Sequence, residues 1–141
     1  MSDCTHKEAV QTDKAKPIGP YSLGIKAGPF VFCSGQTGTD PSTGNTVEGG
    51  VEAETRQTLI NLGSILEAAG SDLDHVVKTT VILQDINDFS KMNAVYGEFF
   101  KSDPPARSTF QVAALPRGAA VEIEAIALFK QSDDADCHCS E

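Results

Sequence analysis

The chain has 141 residues, 40% of them hydrophobic and 22% charged, ordinary values for one globular domain whose core needs neither disulfides nor a structural metal. Its formal charge of −9 repels a phosphate backbone at long range and disfavours extended nucleic-acid binding. No apolar run approaches the roughly 18 residues of a membrane span, and residues 1–16 carry neither a secretory h-region nor an arginine-rich transit composition, so the cytosol is the expected location.

Residues 1–16 show no apolar periodicity and read as a flexible arm, and residues 131–141, with Asp133, Asp134, Asp136 and Glu141, as a disordered acidic tail. The domain between them spans 17–130. Tyr21-Leu23-Ile25 and the run Phe30 to Cys33 read as two strands, joined through Ala27-Gly28-Pro29 into a hairpin. Asp40-Pro41-Ser42-Thr43-Gly44 marks a turn, and Thr46-Val47 is a candidate short edge strand. From Val51 to Ala69, apolar residues at 59, 62, 66 and 69 recur at three- and four-residue spacing, Ile65 widens the stripe, and Gly70 stands at the C-cap of the predicted helix.

His75 to Leu83 is β-branched in both phases, as in a strand with both faces covered. A second helix starts at about Asp88 as N-cap, carries Phe89, Met92, Tyr96 and Phe99 on one face, and stops at Pro104-Pro105. Strands over 107–115 and 121–129 follow, joined by a turn at Pro116-Arg117-Gly118. The order ββ(β)αβαββ predicts an α/β (α+β) fold. Right-handed crossovers put both helices on one face of the sheet and leave the other without helical cover, so self-association through that face is expected.

Most standard motifs are absent from the sequence: G-x-G-x-x-G, the P-loop, G-x-S-x-G, H-E-x-x-H and paired C-x-x-C. His6, His75 and His138 are scattered, against a histidine-based triad. Cysteines at 4, 33, 137 and 139 make a poor disulfide framework and fit a reducing compartment. Cys137-His138-Cys139 lacks the two-residue spacing of a zinc knuckle, and no metal is assigned to it. Cys33, inside an apolar strand, reads as a small hydrophobe.

The informative segment is Pro104-Pro105-Ala106-Arg107, where a proline pair ends a helix and delivers an arginine at the start of a strand. A guanidinium so placed can fork onto the carboxylate of a small organic acid, or make a salt bridge at the surface or between subunits. Glu122 and Glu124, two apart on one strand, share a sheet face. They either pair with lysine or arginine, or are desolvated enough to move protons near neutral pH. Ser34-Gly35-Gln36 offers a hydroxyl and an approachable N–H, or simply ends a strand. Gly19-Pro20-Tyr21-Ser22 reads as a stiff turn with Tyr21 packing on the sheet. Asn93, at the edge of the second helix's apolar stripe, faces water or binds a neighbouring loop.

Together, Ile18-Gly19-Pro20-Tyr21-Ser22, Ser34-Gly35-Gln36, Val76-Val77-Lys78-Thr79-Thr80, Asp85-Ile86-Asn87-Asp88-Phe89, Asn93 with Tyr96, Pro105-Ala106-Arg107, Leu115-Pro116 and Val121-Glu122-Ile123-Glu124-Ala125 carry a resemblance. Over about 17–129 the chain resembles the RidA/YjgF/UK114 family of enamine and imine deaminases, its final segments most like the animal branch. The resemblance implies a chorismate-mutase-like homotrimer, each chain a mixed six-stranded sheet with two helices on one face, and active sites in the clefts between subunits. It implies hydrolysis of 2-iminobutanoate and 2-iminopropanoate to 2-keto acids and ammonia without cofactor or metal. By the same resemblance Arg107 binds the substrate carboxylate, Glu122 orients or activates water, and Tyr21, Ser34, Gly35 and Asn93 line the pocket. Many bacterial relatives carry a cysteine where this chain has Thr109. The family mechanism can use the backbone carbonyl there, which keeps Thr109 among the expected site residues. Endoribonuclease or translation-inhibitor activity, also attributed to the family, and a non-enzymatic small-molecule or protein-binding role are the rival expectations. A mitochondrial pool beside the cytosolic one is left open.

Overall fold

The computed structural model describes residues 6–130; the acidic tail and its Cys137-His138-Cys139 run lie outside them. Six strands and two α-helices follow in order: β1 (Lys7–Ala9), β2 (Gly24–Ala27), β3 (Phe30–Gln36), α1 (Gly50–Ala68), β4 (Val76–Leu83), α2 (Phe89–Phe99), β5 (Ala106–Gln111) and β6 (Val121–Leu128). The hairpin β2–β3 turns on Gly28 and Pro29, with Gly28 at φ 57°, a sign that glycine takes at no steric cost. α1 follows its apolar period: Leu59, Leu62, Ile65, Leu66 and Ala69 are buried. It ends in a Schellman motif, in which Ser71 N–H donates to Leu66 O and Gly70 N–H to Glu67 O, with Gly70 at φ 88°.

Two expectations are corrected. Residues 1–16 are not a free arm throughout, because Lys7–Ala9 pairs antiparallel with β2 and Val10 enters the core. The remaining strand of the sheet is therefore this one, since Thr46 makes only an isolated bridge to Thr39. An edge strand is held by backbone bonds that any side chains permit, which is why polar Lys7-Glu8 gave no warning.

The sheet order is β1-β2-β3-β6-β4-β5. β3 and β4 both run antiparallel to β6, and β5 runs parallel to β4, so β3, β4 and β5 share one direction and α1 and α2 are their crossovers. Both helices lie on the same side, α1 packed on α2, β3 and β6. Val31 and Cys33 of β3, Thr79, Val81 and Leu83 of β4, and the odd-numbered residues of β6 from Val121 to Ala127 are buried there. The opposite face carries Phe30, Phe32, Phe110 and Leu128, with Phe32 42% and Phe110 45% exposed. Among the described residues no helix is long and apolar enough to cross a membrane.

Candidate active site

Strand alternation and register divide the expected site residues between the two sides of the sheet. Arg107 pairs in register with Thr79, whose side chain is buried under α2 and bonded to the Tyr96 hydroxyl at 2.7 Å. Arg107 therefore faces α2, and its guanidinium carbon lies 4.8 Å from the Tyr96 ring centroid and 5.5 Å from that of Phe89. Such stacking holds the charge and leaves the edge of the fork for a ligand. Phe89, expected in the buried stripe of α2, is 38% exposed because its ring serves Arg107 at the sheet edge; Val95 is buried in the α2 core instead.

Thr109, paired with buried Val81, points to the same side as Arg107. Asn93 follows Phe89 by four residues and precedes Tyr96 by three, so it shares their stripe. Thr109 Oγ1 and Asn93 Oδ1 are both buried and without a hydrogen-bond partner. Leaving such groups unmade costs about 1–3 kcal/mol each, a cost retained where another molecule supplies the partner. Arg107 itself makes no ion pair among the described residues, which removes the salt bridge within this segment of chain. Burial raises the Tyr96 hydroxyl pKa, opposed by its bond to Thr79 and by the Arg107 charge.

Glu122 pairs with Ile82 and belongs to the other phase of β6, with Glu124. Burial raises its carboxyl pKa, and the Glu124 charge raises it further. Neither glutamate makes an ion pair among the described residues. A register shift in β3 between Cys33 and Gln36 puts Ser34 and Gly35 at an irregularity opposite β6, the kind of local bend that re-aims a strand beside a site. Gly35 is what admits the carboxylate: a Cβ there would stand 2.9 Å from Glu122 Cδ and 3.0 Å from Oε2.

Tyr21, Gly35 and Glu122 line a cavity of about 740 Å³ that also takes in Asn61, Ser64 and Arg117. Tyr21 is 44% exposed, and its hydroxyl accepts from Ile18 N–H at 3.3 Å. Ser34 lies outside the lining, its hydroxyl donating to Ser22 O at 2.6 Å and tying the Tyr21 segment to β3. The structure thus brings Arg107, Thr109 and Asn93 together, and separately Tyr21, Gly35 and Glu122. Phe89 and Tyr96 as the platform for Arg107 escaped the sequence reading, although their seven-residue spacing puts both on one stripe. No group of three or more His, Cys, Asp or Glu side chains could hold a metal ion among the described residues.

A model of the family described as Endoribonuclease L-PSP matches residues 11–129. A Homo sapiens protein named 2-iminobutanoate/2-iminopropanoate deaminase is 51% identical over 123 residues, 86% of this chain and 90% of its own. An Arabidopsis thaliana protein named Reactive Intermediate Deaminase A, chloroplastic, is 52% identical over 122 residues, 86% of this chain and 65% of its own. Among solved structures, RidA from the Antarctic bacterium Psychrobacter matches with a TM-score of 0.83 at 44% identity, covering 86% of this chain and 99% of that one. Escherichia coli TdcF with bound serine matches at 0.82 and 39% identity, covering 87% and 99%. With its sheet, its helices and the motifs around Arg107 and Glu122 all inside the matched span, the chain belongs to the Endoribonuclease L-PSP family, the RidA/YjgF deaminases.

Proposed function

We propose that this chain hydrolyses 2-imino acids, 2-iminobutanoate and 2-iminopropanoate among them, to 2-keto acids and ammonia, in clefts between the subunits of a homotrimer. The observation that carries it is Arg107: a stacked, unpaired guanidinium with two orphaned polar atoms, Thr109 Oγ1 and Asn93 Oδ1, on the same layer. A small carboxylate is the group this arrangement receives best. The activity is that of the human relative's name, and the serine bound by the Escherichia coli relative is a carboxylate-bearing molecule of similar size.

Because Arg107 and Glu122 face opposite sides of their own sheet, a complete site takes Arg107 from one copy and Glu122 from another. The exposed face with Phe30, Phe32, Phe110 and Leu128 supports packing of copies there. With the carboxylate on Arg107, the imine carbon is presented to water held by Glu122. Water oxygen bonds to that carbon while Glu122 takes the proton. The C=N electron pair moves to nitrogen and Glu122 returns the proton there, giving a carbinolamine; Glu122 then takes the hydroxyl proton and passes it to the same nitrogen, and ammonia departs as the C–N bond breaks and C=O forms. Glu122's raised pKa suits a group that must both accept and return a proton. Gly35, Tyr21 and the Thr109 backbone carbonyl complete the cleft in this reading, with Ser34 supporting it from behind.

RNA cleavage, the activity in the family description, fits poorly with a charge of −9 and would weaken steeply with salt. The cytosol is the proposed compartment, supported by Cys33 as a buried free thiol; fractionation tests for a second, organellar pool. The decisive experiment generates 2-iminobutanoate with a pyridoxal-phosphate enzyme and follows its loss with wild type, Arg107→Ala and Glu122→Gln. Each variant alone is expected to be nearly inactive. Unfolded together and refolded as an equal mixture, they should recover about a quarter of wild-type activity, since three in four trimers are mixed and each closed ring then has one intact site. Full activity in Arg107→Ala sinks the mechanism, and no recovery on mixing sinks the shared site.

A further inference from the structure

The cavity lined by Glu122 is larger than one small acid needs. Its wall also includes Lys14, Lys16, Gly44, Pro116 and Arg117, and its volume of about 740 Å³ is in the range that encloses ligands far larger than a four-carbon acid. Three cations on its wall, Lys14, Lys16 and Arg117, form no ion pair among the described residues. Asp13 and Glu122 share the wall with them, so the lining carries three cations against two carboxylates in a chain with 20 acidic side chains against 11 basic ones.

Arg117 is the fixed member of the three. Its φ of 59° and ψ of 23° are left-handed, a conformation costing a non-glycine residue about 1–2 kcal/mol. Its Nη1 donates to Gly44 O at 2.9 Å, which pins the guanidinium against the Asp40–Gly44 turn on the cavity wall. Guanidinium carries five N–H donors; this bond uses one, and no further acceptor engages the fork among the described residues.

We propose that Arg117, flanked by Lys14 and Lys16, is a distal anion-binding point of the same site, so that the protein takes 2-imino acids whose side chain ends in a second carboxylate. This rests on Glu122 lining the hydrolytic site. The reaction is the one above: water adds, ammonia leaves, and the product is a 2-keto dicarboxylate. The source of such a substrate is a two-electron oxidation of an acidic amino acid at its α-carbon by an oxidase or dehydrogenase, or loss of water from a β-hydroxylated one, either of which leaves C=N there.

The test measures binding of 2-oxoglutarate and 2-oxobutanoate by calorimetry, which needs no turnover, in wild type, Arg117→Gly and Arg117→Lys. Glycine suits the left-handed backbone at 117, so the first variant keeps its fold, and the second keeps charge without the fork. Wild type is expected to prefer 2-oxoglutarate by about tenfold, a charge-assisted pair's worth. Arg117→Gly should abolish that preference while leaving 2-oxobutanoate affinity within about twofold, and Arg117→Lys should keep part of it. Equal affinities in wild type, a preference surviving in Arg117→Gly, or equal weakening of both acids overturns the proposal. If the preference depends on Arg117 but 2-iminobutanoate is not deaminated, the anion site stands and the deaminase reading falls.

Discussion

Gly35 and Gly38 illustrate how one added methyl group can act on chemistry or on the fold. At Gly35 a Cβ meets only the end of Glu122's flexible side chain, which can swing away at little structural cost. Gly35→Ala is expected to lower kcat/KM for 2-iminobutanoate by at least about tenfold through the displaced carboxylate, with a melting temperature near that of wild type. Glu122 also sets a pH dependence. Burial and Glu124 lift its pKa above the usual 4.5, so the working carboxylate is lost as pH falls through that raised value. Glu124→Gln removes the like charge and should move the acidic limb of the pH–rate profile downward; an unmoved limb rules Glu122 out as its source. For stability the sign is opposite, because ionising a carboxyl whose folded pKa is raised opposes folding. Glu122→Gln should therefore melt higher than wild type above the raised pKa, and the gap should close as pH falls below the unfolded value.

Among the elements, Gly38 makes the contrast with Gly35, since its Cβ would stand 2.7 Å from Glu54 Cα and 2.9 Å from Glu54 O. Backbone cannot yield as a side chain does. Gly38→Ala is expected to destabilise the fold by more than about 1 kcal/mol, seen as a lowered denaturation midpoint. Leu62→Ala in the α1 stripe should cost about 2–5 kcal/mol by the same measurement. The helices were legible because burial repeats every three to four residues along one stripe, as from Leu59 to Ala69. Their ends were less so. Asp88 holds the N-cap position of α2 without a side-chain cap bond, while Asp85 Oδ1 accepts from Asn87 N–H one turn earlier. Either aspartate could cap from its sequence; only the path of the preceding loop chooses between them.

At the scale of the whole molecule the uncovered sheet face carries the oligomer reading. Phe32→Glu places a charge among Phe30, Phe110 and Leu128 and should shift light-scattering mass from three copies to one, with deaminase activity lost in the same step. An active monomer would show that one chain holds a complete site. By itself the sequence determined the two helices, the β2–β3 hairpin, the strands around Arg107 and Glu122, and the family to which those residues point, because periodicity and turn chemistry are local. Only the tertiary structure decided that Lys7–Ala9 joins the sheet, that Arg107 rests on Phe89 and Tyr96, and that Arg107 and Glu122 face opposite sides. Those facts depend on strand register and crossover, where a shift of one residue reverses a side chain's face, and on pairings between segments far apart in the chain that no local pattern encodes.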